Sequence, residues 1–390
     1  MNSIVRLLGG LTPQDFLAQY WQKRPLLVRS AYPGFVSPIS PDELAGLACE
    51  PEVESRLVME RGGATHWAVE HGPFDEDRFG DLPETHWTLL VQECNKYVPE
   101  FADILEDFDF IPNWRIDDIM VSYAPPHGTV GPHTDQYDVF LIQGLGTRRW
   151  QISTEPVAAD NLIPGLDLRI MREFSATEEW VLEPGDMLYL PPGIAHYGVA
   201  LDDCMTISVG FRAPSQADLI TGFLDEAAGK LDANMRYGDP DLIPQKHPGE
   251  ISEAARKRVR EIIRAAVADD TAIDSWLGRF VTEAKSGLMA EAPDVAIKAE
   301  ALRKRLAKEG CLLRSEYARF SYIDREGGAT LFVDGATHEL AADLAFAAPL
   351  LCDRRRYEES LLAPHLGQKN FITLLVFFYN SGYVHFPHEQ

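Results

Sequence analysis

The sequence predicts an α+β chain: a jelly-roll β-barrel, then a helical segment, then a small winged-helix-like module. Three observations carry this. From about Trp114 to Pro214, short stretches of alternating hydrophobicity are separated by Gly, Pro and Asp turns, the pattern of a barrel or sandwich. From Pro214 to about Met289 the apolar spacing changes to that of helices. The last hundred residues read as helix, short strands, then helices again. At 390 residues the chain is long for one compact core, so several regions are expected.

In chain order, residues 1–92 read as a mixed α/β segment packing on the barrel. Within it "TPQDFLAQYWQKRPLLV" offers a Thr N-cap and a first-turn Pro, with helical spacing through Phe16, Tyr20 and Trp21 until Pro25. Residues 93–213 form the barrel core, with strands in "RIDDIMVSYAPPHG", "YDVFLIQGLGTRRWQI", "EWVLEPGDMLYLPPGIAH" and "CMTISVGF". Residues 214–295 are helical, with "SQADLITGFLDEAAGKL", "SEAARKRVREIIRAAVA" and "DTAIDSWLGRFVTEAK", the first two linked by the Pro/Gly-rich "YGDPDLIPQKHPGE". Residues 296–390 supply the winged-helix-like module through "VAIKAEALRKRLAKEG", "ATLFVDGATHEL", "ADLAFAAPLLC" and "NFITLLVFFYNSGYVHF".

The formal charge of −24 is unevenly placed. Residues 301–390 hold 11 Lys+Arg against 11 Asp+Glu, so the first 300 residues carry the whole acidic excess. Such a surface repels nucleic acid and would steer basic partners, or it serves solubility alone; charge by itself does not choose between the two. Direct nucleic-acid binding is therefore not expected, and the charge-balanced C-terminal module reads as structural. Five scattered cysteines without C-x-x-C spacing suit a reducing cytoplasm and argue against a disulfide framework or a thiolate zinc site. No membrane segment is expected, since "FITLLVFF" is too short to span, and the N-terminus reads as lacking a signal peptide.

The chemistry is concentrated in "GPHTDQYDVF". On a strand His133 and Asp135 point the same way, with Tyr137 following, so an imidazole and a carboxylate could chelate one cation. "EPGDMLYLPPGIAHYG" supplies a third ligand, His196, after a strand and a Pro-Pro-Gly turn. H-x-D…H is the two-histidine, one-carboxylate triad of non-haem Fe(II) oxygenases, which leaves positions open for cosubstrate and dioxygen. A bare H-x-D is more often a structural pair; the added P-P-G-x-x-H in a cupin-like strand pattern makes it specific. Zinc is the rival metal, but no general base stands out beside the triad.

Such an oxygenase needs 2-oxoglutarate, whose distal carboxylate must meet a cation inside the barrel. In "GTRRWQI", Arg148 shares a face with Trp150 and Ile152 and so turns inward, while Arg149 and Gln151 take the other face. In "CMTISVGF", Thr206 and Ser208 occupy the face opposite Met205, Ile207, Val209 and Phe211. In "IDDIMVSY", Asp118, Met120 and Ser122 lie together. Asp118, Tyr137 and Ser208 could hold a cationic side chain near the cavity mouth, though spacing alone equally allows Asp117-Asp118 to be a solvated strand start. His66 and His86, each before a tryptophan, read as packing or surface residues, His385 and His388 lie in the tail, and the register of His127 is undefined. "DRRRYEE" at Asp353 reads as a solvated helix face.

These motifs, in the frame "DDIMVSYAPP…GPHTDQYDVFLIQGLGTRRW…EPGDMLYLPPGIAHYG…SVGFRAP", resemble those of the Jumonji-C (JmjC) ribosomal oxygenases. The likeness is greatest to the bacterial branch that hydroxylates an arginine of a large-subunit ribosomal protein. It extends to "FLAQYWQKRPLLVR", "ISPDELAGLACEPEVESRLV" and the terminal "NSGYVHF", and so covers most of the chain. The resemblance implies Fe(II) on His133, Asp135 and His196 and 2-oxoglutarate anchored by Arg148, with Ser122 and Thr206 beside the cosubstrate. Many relatives use lysine for the anchor, and many carry asparagine where this chain has Thr206. It also implies that residues 214–295 form a helical dimerisation domain, hence a homodimer.

The expected reaction is hydroxylation of an arginine in a basic large-subunit ribosomal protein, with 2-oxoglutarate and O2 converted to succinate and CO2. The acidic first 300 residues and Asp118 favour a basic target. Two alternatives remain open at this stage: the same chemistry on a histidine, another protein or a small molecule, and a non-catalytic metal-bound cupin scaffold.

Overall fold

The computed structural model describes residues 3–60, 67–158, 161–166, 168–284, 289–387 and 389. His66 and His388 lie outside them. The strands of the first part are β1 (Leu26–Val28), β2 (Ser55–Glu60), β3 (Trp67–His71), β4 (Trp87–Val91), β5 (Ile116–Ala124), β6 (His133–Thr134), β7 (Val139–Leu145), β8 (Arg148–Ser153), β9 (Glu178–Leu182), β10 (Met187–Leu190), β11 (Ala195–Ala200) and β12 (Cys204–Phe211). Eight of them form one sheet in the order β1-β10-β7-β12-β5-β4-β2-β3, and four form a second in the order β6-β11-β8-β9. Among the described residues the pairings in these two sheets are antiparallel, as a jelly roll requires. Strands β1 to β4, from the first 92 residues, extend the large sheet at both edges.

Alternation along the strands sorts the side chains between two environments. Ile119 and Val121 of β5, Phe140 and Ile142 of β7, and Met205, Ile207, Val209 and Phe211 of β12 join the main core, where Phe16, Phe101 and Phe108 of the flanking segments cover the sheet. The opposite-parity residues Asp118, Met120, Ser122, Val139, Leu141, Thr206 and Ser208 line a cavity. The spacing of period two is therefore what separates apolar packing from the site.

The N-terminal helix Pro13–Gln19 is capped by Thr12, whose hydroxyl accepts from the Asp15 amide. It ends earlier than the apolar spacing predicts, because Gln22 takes a left-handed conformation at φ 56° and the chain leaves the helix before Pro25. That turn has a function in packing. The Gln22 amide donates to the Tyr189 hydroxyl at 2.8 Å, and the Gln22 side chain donates to Asp138 at 3.0 Å. Asp138 is fully buried, also accepting from the Tyr189 hydroxyl at 2.6 Å and pairing with Arg115 at 3.4 Å. A buried carboxylate so surrounded ties the N-terminal segment to the barrel, and removing Arg115 would leave its charge uncompensated.

After the barrel come helices Gln216–Gly229, Glu253–Ala266 and Asp270–Thr282. The first has a capping box in which Ser215 and Asp218 each satisfy the other's amide. The segment between the first two has no regular structure, as its Pro and Gly content predicts. The C-terminal module comprises helix Ala299–Glu309, a three-stranded sheet of Phe320–Arg325, Gly328–Val333 and Ala336–Ala341, helices Ala347–Cys352 and Lys369–Asn380, and a second small sheet. One expectation fails here. "DRRRYEE" is no solvated helix: Arg356–Glu358 is a strand pairing with Cys311–Leu313, and Arg355 is buried against Glu316 and Asp103. Charge density alone hid a residue that ties two regions together.

Helix Asp270–Thr282 packs against the three-stranded sheet so closely that a Cβ on Gly278 would fall 2.3 Å from the Phe332 ring. Gly278→Ala should therefore destabilise the protein by about 1–3 kcal/mol, the usual cost of overpacking, measured as a lower denaturant midpoint with unchanged m-value.

Candidate active site

The pairing of β11 with β6 sets His196 directly opposite His133. Their rings lie 4.2 Å apart between centroids. The sequence predicts one strand carrying both His133 and Asp135; the structure instead ends β6 at Thr134 and bends the chain at Gln136–Tyr137 before β7. The bend does not scatter the ligands, because the Asp135 carbonyl accepts from the Gly193 amide at 2.8 Å, holding it against the turn that precedes His196. The carboxylate then lies 3.9 Å from His133 Nε2 and 3.6 Å from His196 Nε2. Ligand atoms of all three residues fall within 4.8 Å of one another, as a single cation requires.

Both imidazoles are oriented through their other nitrogen. His133 Nδ1 is 2.9 Å from the Gly131 carbonyl, and His196 Nδ1 is 3.0 Å from the Ile194 carbonyl. Donation to these carbonyls fixes the tautomer that leaves the Nε2 lone pairs facing the centre. Gly131 adopts φ 78°, and a Cβ there would sit 2.8 Å from Ile170, so only glycine lets its carbonyl take that direction. Burial, and next the neighbouring His133, push the pKa of His196 well below the usual imidazole value. The ring is thus neutral at neutral pH and available as a ligand.

Arg148, on β8, is 3 % exposed and points into the same cavity of about 540 Å³. Its Nε donates to the Cys204 sulfur at 3.4 Å, and its guanidinium lies 5.7 Å from the Trp150 ring centre. Nη2 is buried and has no hydrogen-bond partner among the described residues. A buried guanidinium with an unused donor, on a residue that lines a cavity, offers a site for an anion. Ser122 and Thr206, paired across β5 and β12, are buried beside it: the Ser122 hydroxyl donates to the Thr206 carbonyl at 3.5 Å and the Thr206 hydroxyl to Gln143 at 3.4 Å.

Asp118, Tyr137 and Ser208 line this cavity too, so the structure brings together every site residue predicted from sequence. Asp118 accepts from the Glu93 amide at 3.1 Å. Tyr137 remains 43 % exposed at the mouth, its phenol pKa raised by partial burial and then by Asp135 and Asp118. Sequence reasoning missed the N-terminal contribution: Glu54, Arg56, Gln92 and Glu93 also line the cavity. Strict alternation in "SRLVME", with Leu57 and Met59 in the core, marks Arg56 as facing the other way. His86 and His127, which stack on each other 5.0 Å apart, and the tail His385 take no part.

Comparison with known proteins agrees with this geometry. The JmjC domain family matches residues 103–219, and the ROXA-like winged helix family matches residues 265–385. The ribosomal protein uL16 3-hydroxylase of Escherichia coli is 37 % identical over 95 % of this chain and 96 % of its own. The chain belongs to the JmjC ribosomal oxygenases. A probable ribosomal oxygenase of Haemophilus influenzae is 35 % identical over 78 % of the chain and 77 % of its own. An X-ray structure of E. coli YcfD superposes with a TM-score of 0.86 at 36 % identity, covering 96 % of this chain and 98 % of that one. Another, of the E. coli ribosomal oxygenase in complex with cobalt and 2-oxoglutarate, gives a TM-score of 0.83 at 35 % identity, covering 97 % and 98 %. This ribosomal oxygenase accordingly has the JmjC cupin fold followed by a ROXA-like winged helix.

Alanine at His133, Asp135 or His196 should weaken divalent-metal binding to this oxygenase by at least about 100-fold, since loss of mere outer-shell support already costs 10–100-fold. Alanine at Arg148, which lies outside the triad, should leave metal affinity within about twofold of the parent on the same reasoning. Titration calorimetry with Co(II) or Mn(II) under anaerobic conditions separates the two.

Proposed function

We propose that this ribosomal oxygenase hydroxylates an arginine side chain of a large-subunit ribosomal protein, giving hydroxyarginine, succinate and CO2. Fe(II) is held by His133, Asp135 and His196, and the distal carboxylate of 2-oxoglutarate by Arg148. The observation that carries the cosubstrate assignment is the buried, unused Nη2 of Arg148 in the cavity of the triad. A scaffold that only bound metal would gain nothing from leaving that donor unmatched, at a cost of order 1–3 kcal/mol. The metal with bound 2-oxoglutarate and O2 would supply the oxidising power for C–H hydroxylation.

The protein's own part is selection and placement. Glu54, Glu93, Asp117, Asp118 and Asp135 outnumber Arg56, Arg148 and Arg169 in the cavity lining, a balance that attracts a guanidinium. Asp118 can accept from it in charge-assisted fashion, with Ser208 deeper in and Tyr137 covering the entrance. Trp150, Val139 and Leu141 line the inner part and exclude water from the reacting carbon. The uL16 3-hydroxylase of E. coli points to the ribosomal protein as the target, and the acidic first 300 residues suit a basic one.

The same reading makes the protein a cytoplasmic homodimer. Helix Glu253–Ala266 has no buried residue, and Val259, Ile262 and Ile263 are more than 45 % exposed, leaving an apolar face for the second copy. No described helix is long and apolar enough to cross a membrane.

Incubation of the anaerobically loaded protein with 2-oxoglutarate, air and uL16 should add one oxygen to an arginine, located by peptide mass spectrometry. Oxygen on a histidine instead would overturn the substrate assignment. Arg148→Ala should raise KM for 2-oxoglutarate by about 100-fold, as loss of a buried charge-assisted pair does. Asp118→Ala should raise KM for uL16 by at least about tenfold with metal affinity unchanged.

A further inference from the structure

The C-terminal module touches the active site's wall without lining its inner part. Arg319 lies just before the three-stranded sheet, and its backbone is bracketed by the hairpin turn of that sheet. The Arg319 amide donates to the Asp334 carboxylate at 2.8 Å, and the Asp334 amide donates back to the Arg319 carbonyl at 3.1 Å. In the same turn the Gly335 amide donates to the Thr282 hydroxyl at 3.1 Å, linking it to helix Asp270–Thr282. From this fixed base the guanidinium reaches the first residues of β5. Nη2 donates to the Asp117 carbonyl at 3.0 Å, 202 residues away in the chain, and Nη1 to the Ile116 carbonyl at 3.4 Å. Nη2 also lies 3.7 Å from the Asp117 carboxylate, which Arg212 approaches from the other side at 3.5 Å.

The next residue is Asp118, whose side chain faces the cavity. Its second anchor, the Glu93 amide, belongs to a segment that the same module also contacts: Lys96 pairs with Glu93 at 2.7 Å and sits 6.0 Å from the centre of the Tyr317 ring. Both groups that fix Asp118 are thus backed by the C-terminal module.

We propose that Arg319 is a positioning residue for substrate binding: by gripping the Ile116 and Asp117 carbonyls it sets the direction in which Asp118 meets the target side chain. The winged-helix module then contributes to recognition of the target through the strand it braces. This rests on the assignment of Asp118 to substrate binding made above.

The test uses the full-length dimer or monomer as purified, with uL16 as the probe. Arg319→Ala should raise KM for uL16 by about tenfold while kcat, KM for 2-oxoglutarate and metal affinity stay within about twofold, because a small displacement of one binding group affects association with the substrate alone. Arg319→Lys retains charge and stem but replaces the planar fork by a single nitrogen, and should show the same split in smaller measure if the alanine variant fails to fold. In the double variant with Asp118→Ala, the two effects should be far from additive, the pair being little worse than Asp118→Ala alone. An unchanged KM for uL16 in both Arg319 variants, additive effects, or a parallel loss in 2-oxoglutarate binding overturns the proposal while leaving the Asp118 assignment intact. An Asp118→Ala enzyme with unchanged KM overturns that assignment, and the role of Arg319 with it.

Discussion

The site depends on one ladder of backbone hydrogen bonds, in which β11 pairs with β6 on one side and β8 on the other. That ladder sets His196 opposite both His133 and Ile152, and Ala200 opposite Arg148. Two ligands remote in sequence thereby share one centre, and the cationic anchor lies a few residues along the same sheet. A one-residue slip in this register would turn His196 to the other face and empty the centre. Gly198 protects the register from the side: it lies across from Trp150, and a Cβ on it would come within 2.7 Å of the indole. The indole therefore packs flat on the strand, between the anchor and the His196 ring.

Burying so many polar groups in one barrel is costly unless each is matched. The protein matches them in two ways. Groups with a structural role are satisfied internally: Asp138 by Tyr189, Gln22 and Arg115, and the histidine Nδ1 atoms by carbonyls of their own loops. Other buried atoms keep an unused valence, among them Arg148 Nη2 and Trp150 Nε1 on residues that line the cavity, while the two histidine Nε2 atoms face the common centre. The contrast between Asp138 and Arg148 is informative, since both are almost wholly buried, yet both Asp138 oxygens have donors while Arg148 keeps Nη2 without a partner among the described residues.

Much of this was legible in the sequence because strand parity is a strong constraint. Period-two alternation in "CMTISVGF" and "IDDIMVSY" assigned Thr206, Ser208, Asp118 and Ser122 to one side, and the same rule turned Arg148 inward. Parity failed to describe "HTDQY", where the strand stops at Thr134, yet the outcome survived because a turn–turn hydrogen bond held Asp135 in place. What could not be read was long-range pairing. Nothing local indicates that Ser55–Glu60 pairs with Trp87–Val91, or that this second strand pairs with β5, so Arg56 and Glu93 escaped notice. Arg355 was misread for a related reason: its partners, Asp103 and Glu316, are distant in sequence, and a run of arginines looks solvated until they are known.

The charge balance of the C-terminal module takes on a specific meaning in this light. Three of its arginines are occupied by protein groups, Arg305 by Glu309 and Glu389, Arg355 by Asp103 and Glu316, and Arg319 by the carbonyls at the start of β5, while Arg354 and Arg356 stay exposed. Two of these three contacts cross from the module to the barrel side of the molecule. A nucleic-acid-binding winged helix would instead present such side chains to solvent, where phosphates could reach them. Arginines facing inward, towards an acidic catalytic region, give the module a different use: they supply positive charge where the barrel has an excess of carboxylates, and hold the edge of the substrate cavity in shape. Without them the carboxylates of Asp117, Asp118 and Glu93, which line the same cavity, would repel one another. Arg319 of the module and Arg212 of the barrel, both beside the Asp117 carboxylate, offset that repulsion at the start of β5.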